Sequence, residues 1–381
     1  MRKIGLILML ICGSGLAAVP TNARPPGVTG ATWQFGPLNR WAYVHLREIL
    51  PTKNIPNRAG VVSVIPGIAD APNDLSITLN GSSVQLAEAM EHLFVDGILV
   101  IKDGTAVVEK YAGHLAPEKT HILWSVSKTI TGLTAATIAH EGLIDLEKTV
   151  SHYVPELAST GWASTTLRDM LDMRDKSDWT EDYDAPDSTV RRQDCADGLL
   201  AGELCADTEV VGNYVFLPSV GRDNRRTGKF IYKSGTTDVI AWVLEAATGT
   251  RFADLVSERI WQRIGAERSA GITVDVSGFT LASGGMFATL RDIGRIGQLM
   301  LNRGMVGDKQ VVPSDWMDDI FNQSGDPDVQ YFGLETERLL GAGAKPYYRS
   351  FVWGVGDGQG TVYAAGVHGQ FIYVSPSTHT V

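Results

Sequence analysis

Strands gather at the two ends of this chain and helices fill its middle. That distribution constrains the fold more than any single motif does. Toward the N-terminal end, Ile98-Leu-Val-Ile-Lys102 and Thr105 to Tyr111 flank Asp103-Gly104. Two β-rich runs around Asp-Gly predict a hairpin, because the turn needs positive φ at both central residues. Toward the C-terminal end, Phe351-Val-Trp353, Thr361-Val-Tyr363 and Phe371-Ile-Tyr-Val374 read as short strands. From about 150 to 280 the pattern turns mixed and mostly helical. A sheet with strands from both ends must close across that insertion. The expected class is therefore α+β: an antiparallel β-sheet flanked by helices, with a mostly helical inserted domain. No strand–helix–strand alternation and no phosphate-loop glycine pattern supports a doubly wound sheet. Helices are predicted over Val84–Phe94, over Ser125–His140 with Gly142 as its stop, over Thr237–Thr248 closed by Gly249, and over Phe252–Ile264 and Met286–Asn302. Residues 24 to 60, rich in Pro, Asn and Arg around Trp33, Trp41 and Tyr43, read as an arm wrapping the body.

The first 23 residues read as a targeting segment rather than as part of the fold. Arg2 and Lys3 precede an apolar run from Ile4 to Cys12, and small residues follow. Cleavage is expected after Ala17 or after Ala23. The run is too short to span a bilayer, and no other stretch approaches the length required, so no stable membrane anchor is expected. The destination is the periplasm or the outside of the cell. Of the 3 cysteines, Cys195 and Cys205 survive cleavage, and in an oxidising compartment they are expected to form a short-loop disulfide. With 381 residues, 44% hydrophobic and 20% charged, the chain can bury a large core. Its formal charge is −10, and it becomes about −12 without Arg2 and Lys3, which argues against a nucleic-acid partner. The 8 histidines lack metal-ligand spacing, so neither metal nor cofactor is implied.

Three elements carry chemistry. The first is Trp124-Ser125-Val-Ser-Lys128, entering a helix. A serine hydroxyl needs a base to attack at neutral pH. Residues three apart share a helix face, so Lys128 can aim its amine at Ser125 Oγ. Burial would lower the lysine pKa enough for that task. The helix start also turns N–H groups toward an oxyanion. The second element is Phe230-Ile-Tyr232-Lys-Ser-Gly235, where Tyr232 can shuttle protons if its phenol is held ionised by two neighbouring amines. The third is Ala364-Ala-Gly366-Val-His368-Gly-Gln370, whose glycines allow close backbone approach. The Val367 N–H on its strand edge would complete an oxyanion hole with that of Ser125. His368 reads as structural rather than as a base.

In this order and at these separations, the three elements resemble the serine β-lactamase and penicillin-binding-protein superfamily. Among its class C-like members, the chain is most similar to the 6-aminohexanoate-dimer hydrolase branch and its esterase relatives. Further stretches carry the resemblance: Asn39-Arg-Trp-Ala42, Glu141-Gly-Leu-Ile-Asp145, Thr166-Leu-Arg-Asp-Met170, Glu181-Asp-Tyr183, Tyr232-Lys-Ser-Gly-Thr-Thr-Asp238, Ser283-Gly-Gly-Met286, Arg291-Asp292 and Val367-His-Gly-Gln370.

The resemblance implies one hydrolase domain over 24–381, with its α/β part at about 60–150 and 280–381 and its helical part at about 150–280. It implies Ser125 as the acylated nucleophile, Lys128 as its base and Tyr232 as the proton relay. Tyr183, Ser234 and Gly366 are expected to contact a small amide or ester substrate. Ser234 stands where cephalosporinases carry Asn, and Ala364-Ala-Gly366 stands in place of Lys-Thr-Gly. The cation that grips a β-lactam carboxylate is thereby missing. A D-Ala-D-Ala peptidase of the same fold and a catalytically silent binding module are the alternatives. Relatives of this kind continue beyond the strand that begins at Val381, so a truncated C-terminus is expected. Oligomeric state is not legible.

Overall fold

A computed structural model describes residues 23–67, 75–79, 81–323, 325–326, 328–329 and 344–381. The expected targeting segment lies outside them, apart from residue 23. The strands that position the site are β1 (Thr52–Ile55), β2 (Gly97–Lys102), β3 (Thr105–Tyr111), β4 (His121–Ile122), β5 (Ala270–Thr273), β6 (Met286–Ala288), β7 (Tyr347–Arg349), β8 (Val352–Gly354), β9 (Val362–Gly366) and β10 (Gln370–Val374). The helices used below are α1 (Leu86–His92), α2 (Val126–His140), α3 (Thr189–Ala196), α4 (Ser234–Thr248) and α5 (Leu290–Leu301).

Two four-stranded antiparallel sheets form, in the orders β1-β5-β6-β4 and β7-β8-β9-β10. The β2–β3 hairpin turns through Asp103 and Gly104 at φ 50° and 79°, as the Asp-Gly pair requires. It is tied to the segment after β10 through reciprocal Ile101–Val381 backbone hydrogen bonds of 2.8 Å each. Strands from both ends thus meet around a helical middle, which makes the fold α+β.

Helix α2 is buried around nearly its whole circumference, from Val126 to Ile138. A helix with no solvent-exposed face belongs in the interior of a fold, and its polar side chains must find partners there. Its closest neighbour is the turn before β8, where Ser350 and Phe351 have φ of 52° and 62°. A Cβ on Gly132 would lie 2.4 Å from the Ser350 carbonyl oxygen, so only glycine lets that turn close on the helix. Thr129 Oγ1 donates to Phe351 O at 2.8 Å and locks the same junction.

The N-terminal arm packs inward rather than merely wrapping. Trp33 is fully buried and stacks on Trp124 at 5.5 Å and 9°, just before the predicted nucleophile. Its indole N–H donates to Leu199 O at 2.8 Å. The arm also supplies β1, whose polar Thr-Lys-Asn sequence hid it from periodicity, and which pairs with β5. Strand β5 in turn falls inside the stretch expected to be helical.

Element ends differ from the sequence reading for local reasons. Met286–Ala288 is a strand, not a helix start, because Thr289 caps α5 by accepting from Asp292 N. Val84 and Gln85 pair with Ile77 and Ser76, so α1 begins only at Leu86. Helix α4 begins at Ser234, three residues before the expected start. The run after Phe252 is α-helical to Val256 and then widens into a π turn over Ser257–Trp261.

Below the site, Lys233 and Asp175 form an ion pair with both side chains fully buried, at 2.8 Å. The second Asp175 oxygen accepts from Thr236 Oγ1 at 2.7 Å, and Ser177 N donates to the first at 2.8 Å. Removing one member of such a pair leaves an uncompensated charge in the core. Asp175→Ala is expected to cost about 3–5 kcal/mol of folding free energy. Urea denaturation checks this, and a loss below about 1 kcal/mol would contradict it.

Candidate active site

The backbone enters α2 through a strained residue. Trp124 has φ 46°, and Ser125 follows at φ −64°, already in helical geometry as the N-cap. This places Ser125 Oγ and Lys128 Nζ on one face, 2.9 Å apart. Lys128 is 1% exposed and makes two further hydrogen bonds. It donates to Ser234 Oγ at 3.0 Å and to the Ser283 carbonyl oxygen at 2.7 Å. Burial pushes its pKa down to about 8, while the charges of Glu181 and Asp238 resist the shift.

Each supporting oxygen is itself held. Ser283 N and Oγ both donate to Asp238 at 2.9 Å, and Gln193 Nε2 from α3 donates to the same carboxylate at 2.8 Å. Burial raises Asp238 to about 6 against these hydrogen bonds. Ser234 Oγ hydrogen-bonds Glu181, whose carboxylate also accepts from Ser234 N, Trp179 Nε1 and Tyr183 OH at 2.8, 2.6 and 2.7 Å.

Tyr232 lies with its ring 5.1 Å from Lys128 Nζ, and its phenol is hydrogen-bonded to Ser125. Burial raises its pKa above the ordinary 10, the Glu181 charge adds to the rise, and the Ser125 bond opposes it. The phenol is therefore held protonated, which corrects the expectation of an ionised group. The second amine that would have ionised it, Lys233, points away into its pair with Asp175. Adjacent residues of extended chain face opposite sides, so the two could not both face the serine.

Gly366 packs directly beneath Ser125. A Cβ there would lie 3.1 Å from Ser125 N and 2.7 Å from Leu123 O. Val367 follows at the end of β9. Among the described residues, neither the Ser125 nor the Val367 N–H donates in a turn or loop. His368, at φ 65°, tilts against Trp124 and Tyr43 at 6.1 and 5.7 Å, and burial lowers its pKa. The His368 ring packs against these two aromatic rings.

A cavity of about 250 Å³ opens over Ser125, lined by Trp124, Tyr183, Arg191, Ser234, Ser283 and Val367 among others. A larger one, about 570 Å³, lies beyond His368 and contains neither Ser125, Lys128 nor Tyr232. Tyr183 borders the first cavity as expected. Ser234 also borders it, but its hydroxyl is engaged on both sides, by Lys128 and Glu181. Arg191 packs over the Tyr183 ring at 5.3 Å and donates to Tyr183 O at 2.8 Å. Beside it, burial raises Asp194 to about 7 against the Arg191 charge. Cys195, at the end of α3, is disulfide-bonded to Cys205 with Cα atoms 5.3 Å apart. Among the described residues no group of three or more His, Cys, Asp or Glu could hold a metal, and no helix is long and apolar enough to cross a membrane.

Sequence reasoning missed Glu181, Asp238 and the Ser283 carbonyl as parts of the lysine site. Each lies within a stretch that carried the family resemblance, but nothing in residue type or spacing indicated which atoms would face Lys128.

Comparison with known proteins agrees with this geometry. The family model described as Beta-lactamase matches residues 86–381. The 6-aminohexanoate-dimer hydrolase of Paenarthrobacter ureafaciens is 33% identical over 365 residues, covering 94% of this chain and 89% of that one. A Bacillus anthracis structure provisionally named a 6-aminohexanoate-dimer hydrolase superposes with a TM-score of 0.82 at 29% identity, covering 93% of this chain and 90% of that one. A D-stereospecific amidohydrolase from Streptomyces sp. shares the fold, with a TM-score of 0.54, 15% identity and coverage of 77% and 90%.

Because a Cβ on Gly366 would crowd the Ser125 N–H at 3.1 Å, Gly366→Ala should push β9 away. Labelling of Ser125 by a fluorophosphonate is then expected to slow roughly 100-fold with the circular dichroism spectrum unchanged. An unaltered rate would show that the contact has slack.

Proposed function

This chain belongs to the beta-lactamase family, and on that premise we propose that it is an exported serine hydrolase cleaving a small linear amide or ester through an acyl-enzyme on Ser125. One observation carries the reading. Lys128 Nζ lies 2.9 Å from Ser125 Oγ and donates to Ser234 Oγ and Ser283 O; once the amine is neutral, those two acceptors take both of its N–H groups and leave its lone pair for Ser125 Oγ.

In the proposed reaction, neutral Lys128 takes the Ser125 proton as Oγ attacks the substrate carbonyl. The Ser125 and Val367 N–H groups receive the oxyanion. The protonated Tyr232 gives its proton to the departing amine or alkoxide and regains one from the Lys128 ammonium. Water then repeats the sequence in reverse on the ester bond to Ser125, which frees the acid and restores the serine. Tyr183, at the rim of the cavity, contacts the leaving group.

The names of the two 6-aminohexanoate-dimer hydrolase relatives support a linear amide as the substrate. The absence of a cation at Ala364 and Ala365 weighs against a β-lactam or D-Ala-D-Ala peptide, whose carboxylate would have no partner on β9. Export is supported by the basic and apolar start of the sequence and by the Cys195–Cys205 disulfide.

Two measurements test the reading. A panel of p-nitrophenyl esters, linear 6-aminohexanoate amides and nitrocefin should show turnover of the first two. Ser125→Ala should lower it by roughly 10⁴-fold or more, and turnover surviving that substitution would end the proposal. The second measurement is a pH profile. Burial lowers the Lys128 pKa to about 8, so below that value the amine is protonated and cannot accept. The rate should rise as pH increases through about 8, and a profile flat from pH 6 to 9 would exclude lysine as the base.

A further inference from the structure

The proposed reaction needs the lysine lone pair to point at Ser125, and nothing in the lysine itself ensures this. The direction depends on which neighbours accept its N–H groups. Ser283 O is a carbonyl and can only accept. Ser234 Oγ is a hydroxyl and could instead donate to the lysine, turning the lone pair away from Ser125. Something must hold the Ser234 proton elsewhere.

We infer that Glu181 is the positioning residue that does so: by accepting the Ser234 hydroxyl proton, it leaves that oxygen only as an acceptor toward Lys128 and steers the amine lone pair onto Ser125. The inference rests on the acyl-enzyme reading above. Glu181 is the acceptor in all four of the hydrogen bonds its carboxylate makes here. Oε2 accepts from Trp179 Nε1 at 2.6 Å and Ser234 N at 2.8 Å, and Oε1 accepts from Tyr183 OH at 2.7 Å and from Ser234 Oγ. Trp179 Nε1 and a backbone N–H have no other role available to them. The same carboxylate holds the hydroxyl of Tyr183, which borders the cavity over Ser125. One group therefore fixes both the base and the residue proposed to meet the leaving group.

Glu181→Gln discriminates sharply because of these fixed donors. The amide oxygen must face Trp179 Nε1 and Ser234 N, which forces its NH₂ toward Tyr183 and Ser234 Oγ. Ser234 then accepts from the amide, and its own proton is free to occupy the lysine lone pair. The expected result is a kcat roughly 10- to 100-fold lower with KM changed less than about twofold. The acid limb of the kcat/KM profile should also move to lower pH, since the Glu181 charge opposes the burial shift on Lys128. The other charged or titratable groups around this pair are Asp238 and Tyr232 beside Lys128, and Tyr183, Asp194 and Tyr348, which feel Glu181; all remain in the variant.

If Glu181 acts mainly through Ser234, the double variant Glu181→Gln with Ser234→Ala should lose clearly less kcat than the product of the two single-variant losses. Multiplying losses, or a drop in kcat with an unmoved acid limb, would overturn the inference. Should Glu181→Gln not fold, Glu181→Asp keeps the charge one methylene back, and is expected to lower kcat with the limb in place; a displaced limb would refute the assignment. Wild-type kinetics in Glu181→Gln would end this inference alone, whereas turnover surviving Ser125→Ala would end the reading beneath it as well.

Discussion

A lysine amine sealed from water and met by three oxygens is the constraint from which the rest of this site follows. In water an ammonium group loses its proton only with difficulty; inside α2, 1% exposed, Lys128 cannot solvate its charge, and its pKa falls to about 8. Burial alone would leave an amine of arbitrary orientation. The Ser234 hydroxyl and the Ser283 carbonyl fix its direction, and the two carboxylates behind them, Glu181 and Asp238, oppose the shift. The charge balance is local: two acidic groups stand behind one basic one, each acting through an intervening serine rather than by direct contact.

The same economy governs the lower layer. Lys233, one residue from Tyr232, is buried even more completely than Lys128, yet its partner Asp175 touches it directly at 2.8 Å. The contrast between the two lysines is instructive. A direct ion pair holds a charge in the core and contributes to structure, while a carboxylate one hydroxyl away leaves the amine free to exchange a proton. Two lysines of similar burial thus have different chemistry because of a single intervening oxygen.

Much of this was legible in the sequence. The spacing of Ser125 and Lys128 implies a shared helix face, Asp103-Gly104 implies the hairpin, and the placement of strands at both ends implies the α+β class. What could not be read has identifiable physical causes. The Ser283 contribution is a main-chain carbonyl, and side-chain identity does not report where a carbonyl points. Strand β1 is too polar to show alternation, and Met286–Ala288 is apolar enough to pass as the first turn of α5 until the Thr289 cap is seen. The expectation of an ionised Tyr232 failed because Lys233, its neighbour in sequence, was taken as its neighbour in space. Extended backbone sent Lys233 to the opposite side.

The site draws its atoms from widely separated stretches: α2 near position 125, the Glu181 loop, the start of α4, the Ser283 turn and the end of β9, with Trp33 of the arm stacked behind Trp124. No pair of neighbouring segments suffices to make the serine reactive. On the proposed reading, a chain in which these segments have not docked lacks the geometry that the reaction needs. Reactivity in this molecule is a report on its finished tertiary structure rather than on any local motif.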